Sequence, residues 1–216
     1  MLKNIFPKSI LYLITISSIL NIARIIIFDT YSSIYLFWNL FLGLVSYFIT
    51  LYLLNTKQKV LPFFTVVLFV LWLLFLPNAP YLITDLIHIN DSFVVPHIYD
   101  AIMLILYAIL GLLLFLYSLT KMKSILERKN LSHTKINLFI YASILLSSFG
   151  MYLGRSKALR FNSWEVFSKP DHIFSKIFDI FLYPSIYEEA YIFTIVSFTL
   201  LSMSYFLWVE FRKSKI

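Results

Sequence analysis

The stretch Tyr99–Leu119, YDAIMLILYAILGLLLFLYSL, decides the fold. After Asp100 it meets no charged residue until Lys121. As a helix rising about 1.5 Å per residue it matches the roughly 30 Å hydrocarbon core of a bilayer. Five further stretches of the same kind flank it: Ile10–Phe28, Ile34–Leu54, Val60–Leu76, Ile136–Leu153 and Ala190–Val209, each bounded by charge, Pro or a polar turn. Lipid offers the backbone no hydrogen-bond partner, so a spanning chain is either helical or a closed barrel, and nothing here alternates as barrel strands do. The predicted fold is therefore all-α, a polytopic membrane helix bundle of six transmembrane helices. Two short amphipathic helices are expected at its surface, and the whole chain, 1–216, is expected to form a single integral-membrane domain.

Composition leads to the same class. The chain is 60% hydrophobic, 19% aromatic and 13% charged, with a mean hydropathy of +0.84, and this leaves too little polar surface to coat a soluble globule. It has no cysteine, which removes disulfides, thiolate nucleophiles and zinc-thiolate sites. The net charge of +7 sits mainly at segment ends, where membrane topology accounts for it better than nucleic acid does. Lys3 and Lys8 ahead of the first apolar run have the order of a secretory signal. The run continues past Asn21 and Arg24 without a small-residue cleavage pattern, so an uncleaved first helix is expected.

Orientation follows from the eighteen Lys and Arg residues. With the N-terminus inside, twelve fall on inner segments and five on the last outer loop (Arg155, Lys157, Arg160, Lys169, Lys176), while Arg24 lies within the first helix. That asymmetry predicts both termini in the cytoplasm. Arg24, Asp29, Asn39, the segment from Pro77 to Asp100 and the loop from Gly154 to Glu189 then share the outer level. For Arg24 by itself, a side chain snorkelling from the helix end is the expected explanation.

Two segments at that level carry chemistry. In the first, Pro77 stops the third helix, and Asn78 with Pro80 starts a short one. Helical spacing over Ala79–His88 puts Leu82, Ile83, Leu86 and Ile87 on one face and Thr84, Asp85, His88 and Asp91 on the other. Asp85 and His88 are three apart and adjacent. They are the candidate catalytic pair, a carboxylate orienting an imidazole, or alternatively two ligands of a divalent ion; an interfacial helix with a wet polar face competes with both. In the second segment, Gly150 and Gly154, with Ser143 and Ser147 upstream, form a small-residue packing face. Beyond it Arg155, Arg160, Asn162 and Trp164 form a candidate anion-binding set, because guanidinium groups grip phosphate or carboxylate bidentately. Asn78, Tyr81, Thr84, Asp100 and Glu165 are supporting polar groups. The segment from Pro170 to Pro184 reads as an interfacial helix, with Ile173, Phe174, Ile177, Phe178, Phe181 and Leu182 on one stripe and His172, Ser175, Lys176 and Asp179 opposite. No phosphate-cradling Gly loop, His-Glu-x-x-His or Ser nucleophile motif is present, and the residues do not identify a cofactor.

The strings Leu-Pro-Asn-Ala-Pro-Tyr (76–81), Thr-Asp-Leu-x-His (84–88), Gly-x-Tyr-x-Gly-Arg (150–155) and Arg-x-Asn-Ser-Trp (160–164) resemble the bacterial integral-membrane family known as domain of unknown function 1361. The likeness covers most of the chain and is least distinctive in the first two helices; Asp100 is similar to a further acidic position of the family. It implies a multi-pass bacterial membrane protein and carries no activity with it. Three classes of function fit these residues. One is an envelope enzyme or lipid-binding module that engages an anionic lipid or lipid-linked phosphate. Another is an assembly subunit with a membrane-protein partner. A small-solute transporter is disfavoured, since the helix centres are nearly free of ionisable groups.

Overall fold

The structure is a computed structural model that describes residues 7–56, 62–90, 94–156, 161–163 and 165–214. Among the described residues the chain is helical throughout, with no strand, and has six helical segments long and apolar enough to cross a membrane. Their order is α1 (Lys8–Phe28), α2 (Tyr35–Asn55), α3 (Pro62–Phe75), α4 (Asn78–Thr84), a 3-10 segment (Asp85–Asn90), α5 (His97–Glu127), α6 (His133–Arg155), α7 (Glu165–Ser168), α8 (Pro170–Leu182) and α9 (Glu188–Lys213). The third candidate span, Phe63–Ile89, runs through α3, α4 and the 3-10 segment. Residues 60 and 61, the expected start of that span, and Asp91 of the expected polar face after it lie outside the described residues. The chain divides into two compact units, Met1–Ile125 and Leu126–Ile216.

In the first unit α1 is built the opposite way round from a soluble helix. Its buried residues are Ile10, Ser17, Asn21 and Arg24, while Leu11, Ile19, Ile22, Ile26 and Ile27 are exposed. In lipid an exposed Ile costs nothing, whereas a polar side chain must find a protein partner, so the polar stripe turns inward. The helix ends at Asp29, which takes the left-handed conformation (φ 46°) that short polar residues tolerate. Helix α2 buries Leu36, Leu40, Gly43, Tyr47 and Thr50, one face at helical spacing. Helix α5 is the most buried span of the unit, with Met103, Tyr107, Leu110, Leu114, Phe115 and Leu119 inside. It continues well past the expected end at Leu119, because Thr120–Glu127 contains good helix formers and no breaker.

The short α4 is clamped between these helices. Ala79, Pro80 and Leu82 are buried. A Cβ on Gly43 of α2 would lie 3.0 Å from the Ala79 Cα, and one on Gly111 of α5 would overlap the Ala79 carbonyl oxygen and sit 2.9 Å from the Leu82 Cβ. Glycine at 43 and 111 is therefore what lets the α4 backbone approach both spans. The consequence differs from the expected wet polar face on Ala79–His88. Asp85 is 2% exposed and Ile87 is 63% exposed, so the carboxylate points into protein and the isoleucine away from it. A change from α to 3-10 geometry at Asp85 rotates the side chains that follow and breaks the ideal helical spacing.

In the second unit α6 packs along α9. Ile136, Ile140, Ser143, Ser147 and Met151 are buried at spacings of three and four. Ser143 and Ser147 return their hydroxyls to the carbonyls of Phe139 (2.8 Å) and Ser143 (2.7 Å), which lets small side chains line a helix contact without orphaned donors. Helix α8 joins this core at one end: Ile180 packs with Tyr152 and Ala190, and the Tyr191 hydroxyl donates to the Ile180 carbonyl at 3.0 Å. Its expected single apolar stripe is split, since Ile173 is buried while Phe174, Phe178 and Phe181 are exposed, and Ile180, outside that stripe, is buried too.

Candidate functional site

The polar side chains of the first unit gather where the end of α1, the start of α2, the 3-10 segment and the start of α5 meet. Arg24 is 4% exposed and Asp100 3% exposed. The Arg24 Nε donates to Asp100 Oδ1 at 2.6 Å and Nη2 to Oδ2 at 3.2 Å, a two-pronged ion pair. The remaining edge of the guanidinium is held by the turn between α1 and α2: Nη1 donates to the hydroxyls of Thr30 (3.1 Å), Ser32 (3.1 Å) and Ser33 (3.2 Å). Arg24 therefore does not snorkel. Asp100 lies in the first turn of α5, where the helix dipole favours a carboxylate.

A second polar layer backs the pair. Asn21, one turn before Arg24, accepts from the Ser33 hydroxyl at 2.6 Å and donates to the Ser33 carbonyl (3.1 Å) and the Tyr107 hydroxyl (3.3 Å). The Tyr99 hydroxyl donates to the Leu20 carbonyl at 2.7 Å and ties α5 to α1. The whole arrangement follows from elementary cost: a guanidinium buried in a membrane helix is tolerated only when its charge and its N–H groups are matched by protein.

Beside the pair is a cavity of about 90 Å³. Arg24, Ser32, Ser33, Asp100, Tyr35 and His88 supply its polar wall, and Leu36, Met103 and Leu104 its apolar one. Ser32 is exposed and His88 half-buried, so the cavity has an accessible rim. The imidazole packs edge-on against the Tyr35 ring, with centroids 5.7 Å apart. Asp85, the expected partner of His88, accepts from Asn39 Nδ2 at 3.1 Å. This joins α2 to the 3-10 segment. Of the expected catalytic pair, His88 lines the cavity and Asp85 lies one turn earlier in the 3-10 segment, bound to α2. Among the described residues no group of three or more His, Asp or Glu stands close enough to hold a metal ion.

The supporting residues have local roles that the sequence did not disclose. Asn78 Nδ2 donates to the Phe75 carbonyl (3.0 Å), closing the end of α3, and the Thr84 hydroxyl bonds the Tyr81 carbonyl at 2.7 Å. Tyr81 is half-buried. In the second unit Arg155 is half-buried in the last turn of α6. The Asn162 backbone N–H donates to Glu165 Oε2 at 2.7 Å while the Glu165 N–H returns to the Asn162 carbonyl at 2.9 Å, so this pair closes the turn that opens α7. Arg160 and Trp164, the other members of the expected anion set, lie outside the described residues. What sequence reasoning missed is the hydroxyl cradle of Thr30, Ser32 and Ser33 and the cavity face of Tyr35. The signal was present: an Arg and an Asp buried at the same level of two apolar spans, with a Ser/Thr-rich turn between α1 and α2.

The sequence profile of a family described as protein of unknown function (DUF1361) matches residues 38–204. No curated protein and no solved structure matches the chain significantly.

Proposed function

The chain belongs to the DUF1361 family, and from that premise we propose that it is a multi-pass plasma-membrane protein of a bacterium that engages a lipid headgroup at its extracytoplasmic face. The single observation that carries this reading is the 90 Å³ cavity, with His88 on its wall, set against the buried Arg24–Asp100 pair. Ionisable groups at membrane depth are costly enough that they mark ligand or proton paths more often than packing does. The twelve-to-five distribution of basic residues supports cytoplasmic termini and so an outward-facing cavity. His88, with Asp85 behind it, supplies the acid–base group if the bound headgroup is turned over, as in an envelope enzyme. The set Arg155, Arg160, Asn162 and Trp164 is proposed separately as the holder of an anion such as a lipid phosphate.

Extraction and mass spectrometry of lipid retained by the detergent-purified protein tests the reading. Wild type is expected to retain one headgroup class in near-stoichiometric amount, and His88→Gln to lose most of it while keeping its helical content. Equal, non-selective lipid in both proteins would remove the headgroup reading and leave an assembly subunit with a protein partner as the better account.

A further inference from the structure

Resting on the headgroup reading, we infer that the first-unit cavity recognises hydroxyl groups, as on a glycosyl or glycerol headgroup, and does not recognise phosphate. The Arg24 guanidinium is the obvious lure for an anion, but its charge is already matched in place by Asp100 through two hydrogen bonds. Three hydroxyl oxygens occupy the Nη1 edge, which leaves one N–H on Nη2. Each Asp100 oxygen accepts one hydrogen bond from Arg24 and keeps lone-pair capacity toward the cavity that it lines. The Ser33 hydroxyl hydrogen is spent on Asn21, and Thr30 and Ser32 share one of theirs across 3.0 Å, so one hydroxyl hydrogen of that pair remains to donate.

The wall is thus close to neutral and offers both donors and acceptors. A phosphate only accepts, and it would face the Asp100 carboxylate, another acceptor carrying the same sign of charge. A cation would face the guanidinium. A hydroxyl both donates and accepts, so it can give its hydrogen to Asp100 and take one from Ser32 or Nη2. Volume agrees: about 90 Å³ compares with the roughly 10–15 Å³ that admits a single water, enough for a short polyol fragment. Leu36, Met103 and Leu104 supply the apolar surface on which the carbon side of such a fragment rests.

The test reconstitutes the full chain in phosphatidylcholine nanodiscs doped, in turn, with phosphatidic acid, phosphatidylglycerol or a neutral diglucosyl diacylglycerol, and reads lipid retention by native mass spectrometry. The expected order places the glycolipid and phosphatidylglycerol above phosphatidic acid, which is held no better than phosphatidylcholine. Ser32→Ala, at the exposed rim, should lower glycolipid retention about fivefold, the loss of one hydrogen bond of about 1 kcal/mol. Added glycerol distinguishes the source of the hydroxyls: retention that resists it assigns a lipid-borne headgroup, and displacement assigns a free polyol, either of which upholds hydroxyl recognition. Phosphatidic acid held as tightly as the glycolipid would overturn the inference and leave the headgroup reading standing. No discrimination among the lipids, with Ser32→Ala and His88→Gln both indistinguishable from wild type, would overturn both.

Discussion

At the scale of single residues, the centre of the account is one guanidinium and one carboxylate. Arg24 and Asp100 are each bonded twice to the other and both are buried, so each is the other's licence to be where it is. Removing one partner strands a charge, and Asp100→Ala or Arg24→Ala should each destabilise the first unit by about 3–5 kcal/mol, read as a large drop in melting temperature in detergent. The joint replacement Arg24→Met with Asp100→Leu should recover most of that loss, since no charge is then left without its partner. His88→Gln belongs to the opposite class. A half-buried imidazole on a cavity rim is replaced by a polar side chain of similar reach, so the melting temperature should move by little while lipid retention falls. At Arg155 the expected discriminator is Arg155→Lys, which preserves charge but lacks the bidentate fork; a specific anion grip loses affinity roughly tenfold by equilibrium binding of inorganic phosphate, and a merely anchoring cation loses none.

Among the elements, α4 is where local physics and tertiary packing diverge. Its sequence, Asn78–Thr84, reads correctly as a short helix begun after Pro77, and the structure has it there. The face it buries was not legible, because that depends on two glycines, Gly43 and Gly111, remote in sequence and unremarkable in their own helices. Gly111→Ala puts a methyl group onto the Ala79 carbonyl and the Leu82 side chain, and overpacking of this kind costs roughly 1–3 kcal/mol. Gly43→Ala, which meets the Ala79 Cα at 3.0 Å, should cost less; thermal melts of the two variants check the order. In α8 the amphipathic pattern is legible, but a stripe of six apolar side chains does not say which of them meet protein: Ile173 does, Phe174, Phe178, Phe181 and Leu182 are exposed, and Ile180, outside the stripe, is buried as well. The six spans were legible because length and hydropathy are properties of each segment alone. The Arg24–Asp100 pair was half legible: both residues stood out, but their meeting joins positions far apart in the chain.

For the whole molecule, the account rests on the first unit's polar site opening to the outer side of the membrane. The chain has no cysteine, so single introduced thiols report position without background. Ser32 is exposed, stands on the cavity rim and shares the Arg24 Nη1 edge with two other hydroxyls, so Ser32→Cys leaves the cradle largely intact. Asn130, in the exposed turn after α5, is the reference for the opposite side. Labelling of intact cells with a membrane-impermeant maleimide is the most direct measurement. The account predicts that Ser32→Cys is modified in intact cells, and that Asn130→Cys is modified only after permeabilisation. Modification of Asn130→Cys from outside, with Ser32→Cys protected until the membrane is breached, would contradict it.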